Sequence, residues 1–123
     1  MRTERGNRAK RRAAVARGTR GEWLAAIYLR LRGYSIEERN FRCKSGEIDI
    51  VARKGDQISF VELRARRKEN DALDAVGIQA QRRISNAAKI WISRRRDHDR
   101  LSWQFDIIAI VPGRWPQHFP QAF

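Results

Sequence analysis

The feature that most constrains this chain is residues 46–66, GEIDIVARKGDQISFVELRAR, in which carboxylates interrupt two apolar runs. The β-branched, aromatic and aliphatic residues on either side of Gly55-Asp56 predict two half-buried strands. Glycine at the first position of a two-residue loop favours a primed turn and therefore a tight hairpin. Because side chains alternate along a strand, this loop length places Asp49 opposite Glu62 on one face of the hairpin.

Two carboxylates in opposed positions, Asp49 and Glu62, require a positive group nearby. Such pairs lie about 4.5–5.5 Å apart at Cβ and repel each other. The same register sets Glu47 opposite Arg64, so one interpretation is an arginine that holds the acids in a structural network. The other interpretation is a divalent metal, since two carboxylates and the Leu63 carbonyl are the hard oxygen ligands that suit Mg²⁺ or Mn²⁺.

The charge of the chain predicts an acidic partner. Formal net charge is +13, the isoelectric point is near 11.4, and such a balance indicates nucleic acid or an anionic membrane surface. Residues 1–20 hold eight basic residues and one acidic residue. We therefore expect a flexible basic arm over residues 1–18, followed by a single domain over residues 19–123. The arm is either a solvated tail or a segment that contacts phosphates.

Composition excludes several classes of protein. No apolar run approaches the roughly 18 residues of a membrane-spanning helix, and the basic N-terminus lacks the apolar core of a secretory signal. The single Cys43 excludes an intrachain disulfide and a cysteine-based zinc site, and we expect it in a loop as a small buried residue. We read His98 and His118 as isolated surface or packing residues. A cytoplasmic location is the expectation.

A first helix is predicted from Thr19 up to a glycine stop at residue 33. Helical spacing gives one apolar stripe of four large residues and, beside it, a second stripe that contains Glu22 and two alanines. The small alanines would let the helix approach a sheet and bring Glu22 close to it. A glutamate in a first turn is also typical of simple complementation of the helix dipole. The stripe of large apolar residues consists of Leu24, Ile27, Tyr28 and Leu31.

The remaining pattern predicts a mixed α/β sheet flanked by helices. An edge strand is expected over residues 34–41, a second helix over residues 76–95, a strand with a central position over residues 102–111, and a short edge strand within residues 115–123. The buried stripe of the second helix is predicted to be Ile84, Ala87, Ala88 and Trp91.

Several motifs together resemble a known family. Gly-Glu sits near the first helix and Arg-Asn precedes the hairpin; the hairpin carries GEIDIVA and FVELRAR, and FDIIAI lies in the last long strand. This pattern is similar to the YraN-like family of bacterial proteins, which in turn resembles archaeal Holliday junction resolvases and the PD-(D/E)XK restriction-endonuclease-like superfamily. The likeness covers residues 19–123. It implies a restriction-endonuclease-like core and a metal-dependent endonuclease that acts on DNA, including branched DNA.

The resemblance also assigns residues. Asp49 falls on the metal-ligating aspartate and Glu62 on the second ligand, with Mg²⁺ or Mn²⁺ as the implied cofactor. Glu22 falls on the acidic residue of the first helix, and Gln81 on a polar residue of the following helix. The superfamily's catalytic lysine, two residues after the glutamate, falls on Arg64.

Arg64 is a departure from that pattern, and so are Ala80 and Gln104, where a lysine and an arginine are usual. The pKa of arginine above ~12 excludes it as a base, and its guanidinium is broader than an ammonium. It can still bind a phosphate through two hydrogen bonds. Two readings therefore stay open on one fold: a nuclease, and a nucleic-acid-binding module that cleaves weakly or not at all. A third is docking to ribosomal RNA or anionic lipid through residues 1–20 alone.

The basic residues beyond the hairpin and on the second helix are the expected contacts to the nucleic-acid backbone. DNA is favoured over RNA as the partner, and the likeness to resolvases suggests a homodimer by analogy. The residues expected to bind nucleic acid are Arg66, Arg67, Lys68, Arg82 and Arg83.

Overall fold

The computed structural model describes residues 20–65 and 77–123, so the basic arm, Arg66, Arg67 and Lys68 lie outside the described residues. Those two ranges form one five-stranded mixed sheet with helices on its two faces. The α/β fold predicted from the sequence is thereby confirmed. The elements are α1, described over 20–31, β1 Ser35–Cys43, β2 Gly46–Lys54, β3 Gln57–Ala65, α2 Ile78–Ser93, a short 3-10 helix His98–Arg100, β4 Ser102–Ile110 and β5 Gln117–Phe119.

The strands lie in the order β1-β2-β3-β4-β5, so β3 is at the centre. Neighbours are antiparallel except β3 and β4, which are parallel and are connected through α2. Parallel neighbours need such a crossover, because a tight turn can only reverse the chain. The predicted edge positions of the first and last strands are confirmed.

The β2–β3 hairpin has the register that the sequence predicts. Lys54 pairs with Gln57, and pairing continues in step to Ile50 with Val61. Of the two loop residues only Gly55 has a positive φ, 63°, which is typical of a type II′ turn.

The end of α1 follows the predicted glycine stop. Gly33 has φ 92° and donates its N–H to the Arg30 carbonyl at 3.0 Å, while the Tyr34 N–H reaches back to the Leu29 carbonyl at 3.0 Å. This pair of bonds is a Schellman motif, and glycine tolerates the left-handed conformation at its centre.

The alanine stripe of α1 lies close to the sheet, as the sequence indicates. Of the four residues in the large apolar stripe only Tyr28 is buried; two are half-buried, and Leu31 is 72% exposed. The neighbouring stripe faces the sheet instead, with Ala25, Ala26 and Leu29 fully buried. The physical reason is the small size of the alanines, which lets the helix backbone lie close to the strands and displaces the bulky side chains to the flanks.

The buried face of α2 is the predicted one. Its buried residues are Ile84, Ala87, Ala88 and Trp91, and the Trp91 ring meets the Phe60 ring of β3 edge to face at 5.8 Å. Cys43 is the last residue of β1 rather than a loop residue and is half-buried. The β1–β2 pairing continues as far as Cys43 and Gly46, which leaves only a two-residue turn between the strands.

Candidate functional site

The β2–β3 ladder ends where the acidic residues begin. The paired register stops at Ile50 and Val61. One step further on, the Asp49 carboxylate accepts the Leu63 backbone N–H at 2.8 Å. A side chain has thus replaced a ladder partner, and the two strands open around Asp49 and Glu62. By alternation both residues share the face of Val51 and Phe60, on which α2 packs.

The pKa of Asp49 is raised by its surroundings. Burial is the main cause, and the negative charges of Glu47 and Glu22 add to it, while the hydrogen bond from the Leu63 N–H opposes it. Desolvation and like charge both disfavour the ionised form of a carboxyl group. The charges of Glu47 on β2 and Glu22 on α1 therefore both raise the pKa of Asp49.

Glu62 is more strongly perturbed, since its pKa is raised to about 7. Burial is again the largest cause, followed by the charge of Asp49, whereas the charge of Arg64 lowers the value; smaller contributions come from Glu47, which raises it, and Arg83, which lowers it. Strong perturbation by burial and a specific like-charged neighbour is typical of a functional site.

Glu22 reaches the site through a residue that the sequence interpretation passed over. Its two carboxylate oxygens accept hydrogen bonds from the Asn40 amide at 3.1 and 3.0 Å. The β1–β2 register, constant from Arg39 to Cys43, places Asn40 across from Asp49. Asn40 has φ 52°, a left-handed conformation that asparagine tolerates better than most residues. The Arg-Asn pair before the hairpin was the available signal for it.

A pocket of about 330 Å³ opens between the hairpin and α2. Glu62 and Glu47 lie on one side of it and Arg83 on the other. Arg42 also lines it and pairs with Glu47 at 3.4 Å. The pocket therefore combines two acidic residues of the hairpin with two arginines, whereas Asp49 is not among the residues that line it.

Gly46 is what lets α2 approach the hairpin at this pocket. A Cβ at this position would lie 2.6 Å from the Arg83 carbonyl oxygen, inside contact distance of a helix backbone. The glycine of the GEIDI motif is therefore required by packing. Because Gly46 has no side chain, α2 can lie against the hairpin, and Ala80 and Arg83 line the pocket.

The remaining described site residues predicted from the sequence lie on β3 and α2, and most of them do not line this pocket. Arg64 is half-buried on β3, and Gln81 is half-buried on α2. Arg82 and Arg83 are exposed on α2, and of these two only Arg83 lines the pocket. The expected backbone pairing of Glu47 with Arg64 is not formed, because the β2–β3 ladder ends before it.

The donor set suits a metal that takes few protein ligands. Within residues 20–65 and 77–123, no three His, Cys, Asp or Glu side chains converge closely enough to hold an ion by themselves. Asp49 and Glu62 supply two hard carboxylates whose repulsion a cation would relieve. Mg²⁺ commonly binds one or two carboxylates and takes its other ligands from water and substrate phosphate. The two acids fit that role.

A second buried acid lies elsewhere, on β4. Asp106 is fully buried, and it accepts hydrogen bonds from the Gln104 amide at 2.9 Å and the Gln121 backbone N–H at 3.0 Å. The His118 Nε2 lies 2.7 Å from its other oxygen. The reading of His118 as isolated is therefore wrong, because the β4–β5 pairing brings it to Asp106, 12 residues earlier in the chain.

A model of the uncharacterised protein family UPF0102 matches residues 21–110. The chain belongs to that family. UPF0102 proteins similar to it include mlr4633 of Mesorhizobium japonicum, 51% identical over 94% of this chain and 92% of that protein. Others are Atu0303 of Agrobacterium fabrum, 50% identical over 96% and 97%, and a protein of Sinorhizobium medicae, 47% identical over the full length of both. The resemblance to the YraN-like family is thus confirmed.

The UPF0102 match spans all of the candidate site, from Glu22 on α1 to Gln81 on α2, and ends at the last residue of β4. The described parts of the chain contain no helix that is long and apolar enough to cross a membrane.

Proposed function

We propose that this chain is a metal-dependent endonuclease-like protein that acts on DNA, with Asp49 and Glu62 as the metal ligands. The observation that supports it best is the opening of the β2–β3 ladder at these two acids. There the Asp49 carboxylate accepts a hydrogen bond from the Leu63 N–H, and its charge raises the pKa of Glu62. A purely structural hairpin would gain by continuing its backbone pairing. The resemblance to resolvases and restriction-endonuclease-like proteins supports the same roles.

Each side chain of the site has a part in the proposal. When bound, Mg²⁺ or Mn²⁺ would supply an activated water and neutralise charge at the scissile phosphate. The Leu63 N–H orients the Asp49 carboxylate, and the Asn40 amide orients that of Glu22. Arg64 lies close enough to lower the pKa of Glu62, and in the proposal its guanidinium binds the phosphate through two hydrogen bonds.

A second candidate function is a DNA-binding module on the same fold that does not cleave. One observation favours it: an arginine stands at the usual lysine position. A compact ammonium approaches a metal-bound water more closely than a guanidinium does. The two candidates therefore differ at Arg64.

A cleavage assay separates the two candidates. Wild type, Arg64→Lys and Asp49→Asn are incubated with linear and branched DNA in Mn²⁺ or in EDTA. We expect metal-dependent cleavage that rises above wild type in Arg64→Lys and disappears in Asp49→Asn. Silence of all three folded proteins, with a lower melting temperature for Arg64→Lys, would establish the non-cleaving module and refute the nuclease.

Binding to DNA is tested separately from cleavage. In EDTA, affinity for duplex DNA should fall steeply with salt, because Lys and Arg contacts release counterions from phosphates. Deletion of residues 1–18 should weaken binding without abolishing it, since Arg82, Arg83 and the arginines after α2 remain. Complete loss on deletion would show that the arm acts alone, which is the expectation for a protein that only docks to RNA or lipid through that segment.

Location and assembly follow from the same proposal. With DNA as the proposed substrate we expect a cytoplasmic location, which cell fractionation would test. Cleavage of both strands of a branched substrate requires two sites, so we expect a homodimer on DNA. Sedimentation of the complex at one protomer per DNA molecule would contradict it.

A further inference from the structure

Helix α2 covers only part of the face of the sheet on which it lies. It packs against β2 and β1, and aromatic side chains cover the β4 part of this face. The Phe105 and Phe123 rings are stacked, with centroids 5.2 Å apart and planes at 16°. Trp103 meets Phe105 edge to face at 5.7 Å and is itself 37% exposed. The fold therefore leaves an aromatic surface beside the helix.

A groove of about 450 Å³ runs between these rings and one flank of α2. The helix side of the groove comes from residues three, four and seven positions apart, which share one face of a helix. Arg82 and Lys89 on this flank are exposed. The residues that define the chemistry of the groove are Gln81, Arg82, Asn86, Lys89, Phe105 and Phe123.

We propose that this groove binds an unpaired base of single-stranded DNA. The ring of the base would lie against Phe123 and Phe105, Asn86 would face its polar edge, and Arg82 and Lys89 would contact the flanking phosphates. Stacking of a base on an aromatic side chain next to cationic groups is the general means by which proteins hold single strands. A chain with a net charge of +13 supplies the matching electrostatic attraction.

The position of the groove gives the substrate class, and this step rests on the proposed function. The pocket that contains Glu47 and Glu62 lies on one flank of α2, where Ala80 and Arg83 line it. The aromatic groove lies on the other flank, where Gln81 and Arg82 line it. The first turns of α2 thus separate the two. DNA bound at both would carry an unpaired segment close to the scissile phosphate, so we infer a junction of duplex and single strand as the substrate.

The test compares single strands that have the same phosphates but differ in their bases. Fluorescence anisotropy in EDTA measures the affinity for a 12-nucleotide thymidine strand and for a fully abasic strand of equal length. We expect wild type to prefer the thymidine strand by about tenfold. Phe123→Ala should reduce that preference to about twofold without a change in affinity for the abasic strand. Phe123→Leu, which keeps an apolar side chain on Phe105, replaces it if the alanine protein does not fold.

The phosphate contact has a matched pair of variants. Lys89→Ala should weaken binding of both strands equally and reduce the dependence on salt by about one counterion. Arg30→Ala removes the same charge from an exposed position on α1, behind the other face of the sheet. It should leave the affinity for both strands within about twofold of wild type and the salt dependence unchanged.

The outcomes separate this proposal from the proposed function. Equal affinity of wild type for the two strands, or an unchanged preference in a folded Phe123 variant, would overturn the base-binding groove alone, provided duplex DNA is still bound. Failure to bind duplex and single strands alike would overturn both. A preference that depends on Phe123 together with metal-dependent cleavage of junctions would support both.

Discussion

Two clusters lie around acidic residues of this sheet, one at Asp106 and one at Asp49 and Glu62, and they are built in opposite ways. Asp106 is completely buried, but it accepts hydrogen bonds from Gln104 of β4 and from the Gln121 N–H after β5, and the His118 Nε2 of β5 lies 2.7 Å from its other oxygen. Asp49 and Glu62 are less buried, yet like charges lie close to both, and the pKa of each is raised. Burial alone therefore does not mark a functional acid.

The difference between the two clusters lies in their partners. Hydrogen-bonded donors stabilise the Asp106 carboxylate and connect the chain end to β4, as expected of a structural network. At the open hairpin the charges of Asp49 and Glu62 repel each other, and the folded protein retains that repulsion. Substitution of Asp106 should therefore reduce stability more than substitution of Asp49 does, whereas substitution of Asp49 should reduce activity more.

The largest effect is expected at the structural acid. Asp106→Ala removes the acceptor for Gln104 and the Gln121 N–H and should lower the free energy of unfolding by about 3–5 kcal/mol. Asp49→Ala, the matched variant, loses one hydrogen bond but also relieves repulsion, so its loss should stay within about 1 kcal/mol. Urea denaturation measures both. Equal losses would break the comparison.

The next effect tests how the cluster at Asp49 and Glu62 is assembled. Gly46→Ala brings a methyl group against the Arg83 carbonyl, and we expect a loss of about 1–3 kcal/mol because a helix backbone must shift. The shift moves α2 away from Glu62, so cleavage should fall although no acid has changed. Gly77→Ala is the control, since a Cβ there meets no atom within 4 Å. A stable Gly46→Ala protein with full activity would contradict the packing role.

A smaller effect concerns pH. The pKa of Glu62 is about 7 in the folded protein against 4.5 for the free side chain, so the folded state keeps a proton that the unfolded state has released between those values. Stability then falls as pH rises from about 4.5 to 7. Glu62→Gln should abolish that part of the slope, on the order of 1 kcal/mol after solvent screening. Denaturation in metal-free buffer at pH 5 and 8 measures it; parallel slopes for the two proteins would refute the assignment.

The smallest effect sharpens the role of Asn40. Asn40→Gly loses the amide that holds Glu22 but accepts the left-handed φ, and should cost about 1 kcal/mol. Asn40→Ala loses the amide and adds strain at a positive φ, so it should cost about 1 kcal/mol more. Thermal denaturation of the two proteins gives the difference. An alanine protein as stable as the glycine protein would show that the conformation carries no strain.

Local rules predicted much of this fold from the sequence. Gly55 sets the hairpin register, and the spacing of Ile84, Ala87, Ala88 and Trp91 sets the buried face of α2, because each depends on residues close in the chain. The same register brought Asp49 near Glu62. The assignments of catalytic and DNA-binding roles stay predictions.

What the sequence did not predict depends on distant contacts. The partner of Asp106 is known only once β5 is aligned on β4, with Ile108 opposite His118. The alanines indicated that α1 would lie close to the sheet, but not that this packing would leave Leu31 exposed. Asn40 gave no signal through periodicity, since its role comes from a backbone angle and a contact to a helix 18 residues earlier.

The strand order has a consequence for the folding pathway. Strands β1, β2 and β3 follow one another through two-residue turns, whereas the pairing of Gln57 with Ser102 must close a long loop. The entropy cost of closing that loop comes before the β3–β4 pairing can stabilise the chain. We therefore expect the three-strand meander to form in the transition state and β4 to dock after it. Resistance to unfolding would then reside in the late contacts: Asp106→Ala should accelerate unfolding in stopped-flow experiments, and substitutions in the meander should slow refolding.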